Sequence, residues 1–249
     1  MSAKGLVVIT GASSGFGAAT ALRFARLGHP LYLGARRVEK LREVGRRCLE
    51  AGAPQAEVRP LDVRSKESIE DFCAGAGTPE ILLNSAGLAL GRDTLDQMKD
   101  EDLLGMVETN VIGLVRVTRA LLPGMIAARR GHVINLGSYA ARGVYEGGAV
   151  YAATKHSVRV ISETLRLELT GTNIRVTEMD PGLAETEFSI VRLGDEQKAK
   201  AVYQGMEPLT AEDVADAILW VATRPPHVNI AEVVITPTAQ GSLTKVHRR

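Results

Sequence analysis

Tyr151 and Lys155 stand four residues apart in a segment of helical periodicity, so their side chains share one face, and Ser138 closes the apolar run before them. A phenol with a pKa near ~10 is only about one part in a thousand ionised at neutral pH, and it needs help to act as an acid or base. A neighbouring ammonium supplies it: lowering the phenol by ~3 units corresponds to ~4 kcal/mol of preference for the phenolate. The Ser138 hydroxyl can hydrogen-bond a substrate oxygen and hold it against the phenol, which is the geometric demand of proton transfer. Y-x-x-x-K alone is common, so its meaning depends on the fold that presents it.

A second group lies near the start of the chain. Thr10-Gly11-Ala12-Ser13-Ser14-Gly15-Phe16-Gly17 follows an apolar run and opens a helical one. Its glycines permit a tight turn and close backbone approach, and the free N–H groups of the next helix attract a pyrophosphate. The spacing is G-x-x-x-G-x-G rather than G-x-G-x-x-G, and a purely structural turn reads the same way. After the second apolar run the chain reads Gly34-Ala35-Arg36-Arg37, where an NAD-binding chain would carry an acid for the ribose 2′-hydroxyl. Two guanidinium groups there suit a 2′-phosphate, so NADP is favoured; the alternative is that Arg36 and Arg37 begin a solvated helix face.

The elements that must place these residues alternate. Strands are expected at Gly5 to Thr10, Pro30 to Gly34, Ala56 to Leu61, Glu80 to Asn84, His132 to Leu136, Ile174 to Met179 and Glu232 to Ile235. Helical patterns cover Phe16 to Leu27, Val38 to Ala51, Lys66 to Cys73, Asp100 to Arg130, Val150 to Leu169 and Ala211 to Thr223. The pattern predicts an α/β fold: one doubly wound, Rossmann-type parallel sheet of about seven strands with helices on both faces, as a single domain over residues 1–249. Gly182 to Leu209, of mixed polarity between a strand and a helix, is the expected substrate lid.

Composition excludes several functions. Thirty Lys and Arg against 29 Asp and Glu make no field for nucleic acid or an anionic membrane, and ten aromatic residues offer few stacking platforms for bases. Cys48 and Cys73 are too isolated for a disulfide framework, and the five histidines never fall at metal-binding spacing, so no metal is expected. Leu6 to Ile9 is too short for a signal-peptide core and apolar stretches such as Ile81 to Leu90 are interrupted, so a cytoplasmic protein without membrane contact is expected.

Taken together, these residues resemble the short-chain dehydrogenase/reductase family over almost the whole chain. T-G-x-x-x-G-x-G is Thr10 to Gly17, the adenine-contacting pair is Asp62 and Val63, and the N-A-G-like segment is Asn84-Ser85-Ala86-Gly87, with Ser85 where the family usually has Asn. The resemblance implies a catalytic tetrad of Asn110, Ser138, Tyr151 and Lys155, and a nicotinamide-lining segment at Pro181, Gly182 and Thr186. It further implies metal-free hydride transfer in which Tyr151 donates the proton and Ser138 orients the carbonyl. Lys155 lowers the tyrosine pKa and holds the ribose, and Asn110 positions a water beside Lys155. Cofactor contacts are then expected from Gly11, Ser13, Ser14, Gly15, Phe16, Gly17, Arg36, Arg37, Asp62, Val63, Asn84, Ala86, Gly87, Tyr151, Lys155, Pro181, Gly182 and Thr186.

Pro181 to Arg192, Pro226 to Ile230 and Val246 to Arg248 are similar to the NADP-dependent 3-hydroxy acid dehydrogenases that oxidise serine and allo-threonine. That similarity implies a small polar substrate; a broad aldehyde or ketone reductase is the alternative, and a non-catalytic NADP-binding regulator is a further one. A carboxylate needs a local cation, for which Arg192, behind the apolar run Phe188 to Val191, and Arg142, four residues after Ser138, compete. The two long helical segments resemble those that pair across the family's dimer interface, so a homotetramer is expected.

Overall fold

The computed structural model describes residues 4–249. Seven strands form one sheet in the order β3-β2-β1-β4-β5-β6-β7, every neighbouring pair parallel. The strands are β1 (Val7–Thr10), β2 (Leu31–Ala35), β3 (Ala56–Pro60), β4 (Ile81–Asn84), β5 (Gly131–Leu136), β6 (Ile174–Pro181) and β7 (Glu232–Ile235). Side chains alternate across a strand, so the continuous apolar runs feed two cores. Val7, Ile9, Leu83 and Ile134 pack with α1 (Gly15–Arg26), α2 (Val38–Glu50) and α9 (Ala211–Ala222), through Phe24, Leu41 and Ile218. Val8, Leu82 and Val133 pack on the other face with α3 (Lys66–Gly75), α5 (Leu114–Ala128) and the end of α6 (Ala149–Glu168), through Phe72, Leu121 and Leu169.

Strand order reverses between β1 and β4, so the loops that leave their carboxyl ends diverge and open a crevice there. Thr10 ties its two walls together: its hydroxyl oxygen accepts the N–H groups of Ser85 and Ala86, both at 3.1 Å. Behind them Asn84 donates to Thr118 and to Asn135, each at 2.9 Å, and fixes β4 against β5 in a buried polar chain.

Two expectations change. The segment read as one helix from Asp100 to Arg130 is α4 (Asp100–Val107), a π-helical turn Glu108–Gly113, and α5, which stops at Arg129 in a left-handed conformation. Periodicity cannot register one wide turn, and such turns recur at functional sites. By length and composition this run is apolar enough to cross a membrane; in the fold Val117, Leu121 and Met125 seat it on the sheet. The second change is in the lid region, which carries α7 (Glu187–Leu193) and α8 (Glu196–Ala201), capped by the Thr186 and Asp195 side chains. Backbone bonds between Leu183 and Leu209 and between Glu185 and Leu209 close its stem.

Candidate active site

The glycine loop is as tight as its sequence implies. Gly11 and Gly15 adopt φ +69 and +54. A Cβ on Gly17 would fall 2.6 Å from the Gly11 carbonyl oxygen, and one on Gly11 would fall 2.7 Å from the Ala86 nitrogen. Larger residues would force the two loops apart, whereas Gly15 faces open space with only Thr186 at 3.8 Å. Ser13, Ser14, Phe16, Asp62, Val63, Ala86, Gly87 and Thr186 line the same crevice. Asn84 is buried behind it in the polar chain, and Pro181 and Gly182 line the neighbouring cavity.

Arg36 lines that crevice, and among the described residues it has no ion-pair partner. Arg37 is engaged: it donates to Ser14 at 2.5 Å and to the Glu187 carboxylate of the lid at 2.6 Å, while Lys40 reaches the other Glu187 oxygen at 2.6 Å. These two cations hold the Glu187 carboxyl down at about 2. Glu187 went unnoticed in the sequence because nothing there brings residue 187 to residue 37.

The crevice runs into a larger cavity lined by Ser138, Tyr145, Tyr151, Phe188 and Arg192. Ser138 caps a 3₁₀ turn, Tyr139–Arg142, its Oγ accepting the Ala140 N–H at 3.1 Å. The serine proton therefore remains available for a substrate oxygen. Tyr151 and Lys155 lie on one face of the first turns of α6, 8% and 6% exposed. Burial pushes the Tyr151 phenol up to about 12, against the pull of the Ser138 hydroxyl and the Arg192 charge. Burial pushes Lys155 down to about 8, against the carboxylates of Asp180 and Glu178.

The expected lowering of the phenol by Lys155 is not what these groups show. Lys155 Nζ donates to the Leu136 carbonyl at 2.8 Å and lies 5.9 Å from the Tyr151 ring centroid; the groups that draw the phenol down are Ser138 and Arg192, and burial outweighs them.

Asn110 occupies the π turn, which swings its amide into the gap between α6 and the loop after β4. It accepts the Leu88 N–H at 2.9 Å and donates to the Leu88 carbonyl at 2.8 Å and to Thr154 at 3.1 Å. A Cβ on Gly87 would lie 3.4 Å from Asn110 Oδ1 and 3.6 Å from Lys155 Nζ, so the two side chains share the floor beneath that glycine.

The two candidate carboxylate readers separate. Arg192, on α7, donates to the Gly91 carbonyl at 3.1 Å and to the Tyr145 hydroxyl at 3.2 Å, and its guanidinium stands 5.6 Å from both the Tyr145 and Tyr151 ring centroids. Phe188, one turn earlier, packs on Tyr151 with centroids 5.7 Å apart. Arg142 turns away from the cavity: it pairs with Asp180 at 2.6 Å and with Glu232 at 2.7 Å. A guanidinium already matched by two carboxylates has no charge to offer a substrate, which removes Arg142 as a candidate. The sequence hid this because β6 extends through Asp180 to Pro181, beyond its expected end at Met179.

A family model described as short chain dehydrogenase matches residues 5–197. The NADP-dependent 3-hydroxy acid dehydrogenase YdfG of Escherichia coli strain K12 is 43% identical over 251 residues, covering 98% of this chain and 100% of the relative. The sulfoacetaldehyde reductase of Chromohalobacter salexigens is 44% identical over 242 residues, 94% of each. Among solved structures, the closed form of a serine dehydrogenase complexed with NADP+ superposes with a TM-score of 0.91 at 43% identity, covering 98% of this chain and 100% of that one.

Proposed function

The chain belongs to the short chain dehydrogenase family, and from that premise we propose that it is an NADP(H)-dependent oxidoreductase acting on a small 3-hydroxy acid such as serine or allo-threonine, or on the matching semialdehyde. The observation that carries the reading is the placement of Arg192, a fixed guanidinium 5.6 Å from the Tyr151 ring in the cavity that also holds Ser138. A carboxylate seated on that fork leaves the hydroxyl-bearing carbon of a three-carbon acid within reach of Tyr151.

The crevice fits the cofactor: Gly11 leaves no room for a side chain between the two loops, and Arg36 supplies positive charge where a 2′-phosphate would lie. Gly11, Gly15 and Gly17 would hold the pyrophosphate, Arg36 and Arg37 the 2′-phosphate, and Tyr151 and Lys155 the ribose. When bound, the nicotinamide supplies or accepts the hydride. The chain's own residues manage the proton. In reduction the Ser138 O–H donates to the carbonyl oxygen and fixes it against the phenol, and Tyr151 passes its proton to that oxygen as it becomes a hydroxyl. Lys155, anchored on Leu136, keeps positive charge beneath the phenolate that results.

The described residues 4–249 then form a single domain with a lid over 182–209. The exposed Leu104, Val115, Val160 and Leu167 on α4, α5 and α6 support assembly, here a homotetramer, and we place the enzyme in the cytoplasm. The test is a panel of 3-hydroxy acids, their neutral amides and sulfoacetaldehyde, each with both nicotinamide dinucleotides. Preference for an acid with the phosphorylated cofactor supports the reading. Preference for sulfoacetaldehyde assigns the fork to a sulfonate, and equal rates on acids and amides leave a broad reductase.

A further inference from the structure

Beneath the Ser138 turn lie two carboxyls with no exposure, Glu178 and Asp180, on one face of β6. Asp180 uses both oxygens on a single five-residue stretch. Oδ1 accepts the Ser138 N–H at 3.0 Å, and Oδ2 accepts from Arg142 Nε at 2.8 Å. Ser138 caps the 3₁₀ turn and Arg142 is its last residue, so one carboxylate fastens both ends. Arg142 reaches on to Glu232 of β7 at 2.7 Å, and Arg166 of α6 reaches Glu232 at 3.4 Å, which ties the turn to two further elements. Gly137 makes room for this arrangement, since a Cβ there would overlap the Asp180 carboxylate and approach Glu178.

Such a cluster is a poor way to gain stability. Taking carboxylates and a guanidinium out of water costs about as much as their pairing returns, and apolar residues of equal volume often serve as well. Its geometry serves a different end, because the turn it fixes is what aims the Ser138 hydroxyl. We propose that Asp180, strapped by Arg142, is a positioning residue for Ser138, holding the turn so that the serine Oγ keeps the Ala140 N–H and its proton points into the cavity. This deepens the proposed function, since it assigns a support to the group that would grip the substrate oxygen.

The test is a double-mutant cycle on the intact enzyme, Asp180→Ala and Ser138→Ala singly and together, read with any carbonyl compound that the wild type reduces. Asp180→Ala lowers kcat by about tenfold or more while the KM for NADPH stays within about twofold, as expected when a reacting group is misaimed rather than a binding site lost. In the Ser138→Ala background the same change lowers kcat by less than about threefold, because the hydroxyl it would misplace is gone. Asp180→Asn, which keeps an oxygen for the Ser138 N–H, restores part of the loss. If Asp180→Ala does not fold, Arg142→Met takes its place in the cycle and Arg142→Lys in the rescue.

Hydrogen exchange gives a readout that needs no turnover: the Ser138 and Ala140 amides lose protection in Asp180→Ala while the β1 and β4 amides keep theirs. An absence of turnover in the wild type would sink the proposed function and leave this exchange result to decide the positioning role. An equal fall in kcat with and without Ser138, a rise in the NADPH KM in step with the fall, or unchanged exchange at Ser138 and Ala140 would overturn the proposal.

Discussion

Replacing Arg192 by Ala separates recognition of charge from closure of the lid, because the structure gives this side chain both tasks. Its Nε and one Nη are held by the Gly91 carbonyl and the Tyr145 hydroxyl, which leaves donors of the fork to face a substrate carboxylate. A hydrogen bond to a charged group contributes about 1.5 to 3 kcal/mol, so the loss in kcat/KM on an acidic substrate is expected to lie between about 10-fold and 150-fold. The carboxylate is distant from the reacting bond and is held alike in ground and transition states, so most of that loss falls on KM. The Gly91 and Tyr145 bonds are lost whatever the substrate, and a neutral control measures that share. Steady-state rates on 3-hydroxypropionate and on its amide give both numbers in one preparation. Arg192→Lys keeps the charge without the fork and lies between wild type and Ala. A loss of the same size on acid and amide would mean that Arg192 only closes the lid, and the hydroxy-acid reading would lose its physical basis.

Tyr151→Phe removes one hydroxyl and is expected to cost about 10² to 10⁴ in kcat while NADPH still binds by fluorescence titration, held by the glycine loop, the arginines and Lys155; retention of more than about a tenth of kcat would refute its role as proton donor. Changing Arg36 and Arg37 together to Ala should raise the KM for NADPH strongly and leave that for NADH nearly unchanged, and an equal rise for both would make the pair structural. His132 gives a stability prediction. Thr177 donates its hydroxyl proton to Ile230, so the His132 Nε2 at 2.7 Å donates to Thr177, and the buried Nδ1 has no partner for a second proton. Burial, with the charge of Arg175, holds the ring down at about 3. The unfolded chain then binds the proton first, so stability is full above about pH 6.5 and falls below it, by about 2 kcal/mol at about pH 5. Thermal melts between these pH values should show a steeper fall for wild type than for His132→Asn, and parallel curves would refute the argument.

Much of this site was legible because its groups are local in sequence. Ser138, Tyr151 and Lys155 are delivered by one strand end and one helix start, and the glycine loop by another such pair, so alternation of apolar runs with helical periodicity sufficed to place them. What escaped depends on contacts between distant segments. The bond from Glu187 to Arg37 spans 150 positions, and the pairing of Arg142 with Asp180 spans 38. Periodicity also cannot distinguish a π turn from an α turn, so it reads Asn110 as part of a continuous helix and gives no sign of the wide turn that frees its amide. The carboxyl ends of the strands lie within one residue of expectation except at β6, whose two extra residues carry Asp180, the partner of Ser138 and Arg142.

The same burial that makes the site precise moves its two ionisable groups in opposite senses, and their neighbours limit how far. At neutral pH a phenol pushed up to about 12 keeps its proton, the form needed to donate to a carbonyl, while an ammonium pushed down to about 8 is still mostly charged. In this arrangement the phenol holds the proton that reduction uses, and oxidation of a hydroxyl uses a phenol that some group has drawn down. Ser138 and Arg192 both do so, yet a substrate carboxylate paired with Arg192 cancels part of that pull. The carboxyls of Asp180 and Glu178 beneath Lys155 favour its charged form. Arg142, by matching Asp180 and Glu232, balances that cluster, and burial beside Asp180 pushes the Glu178 carboxyl up.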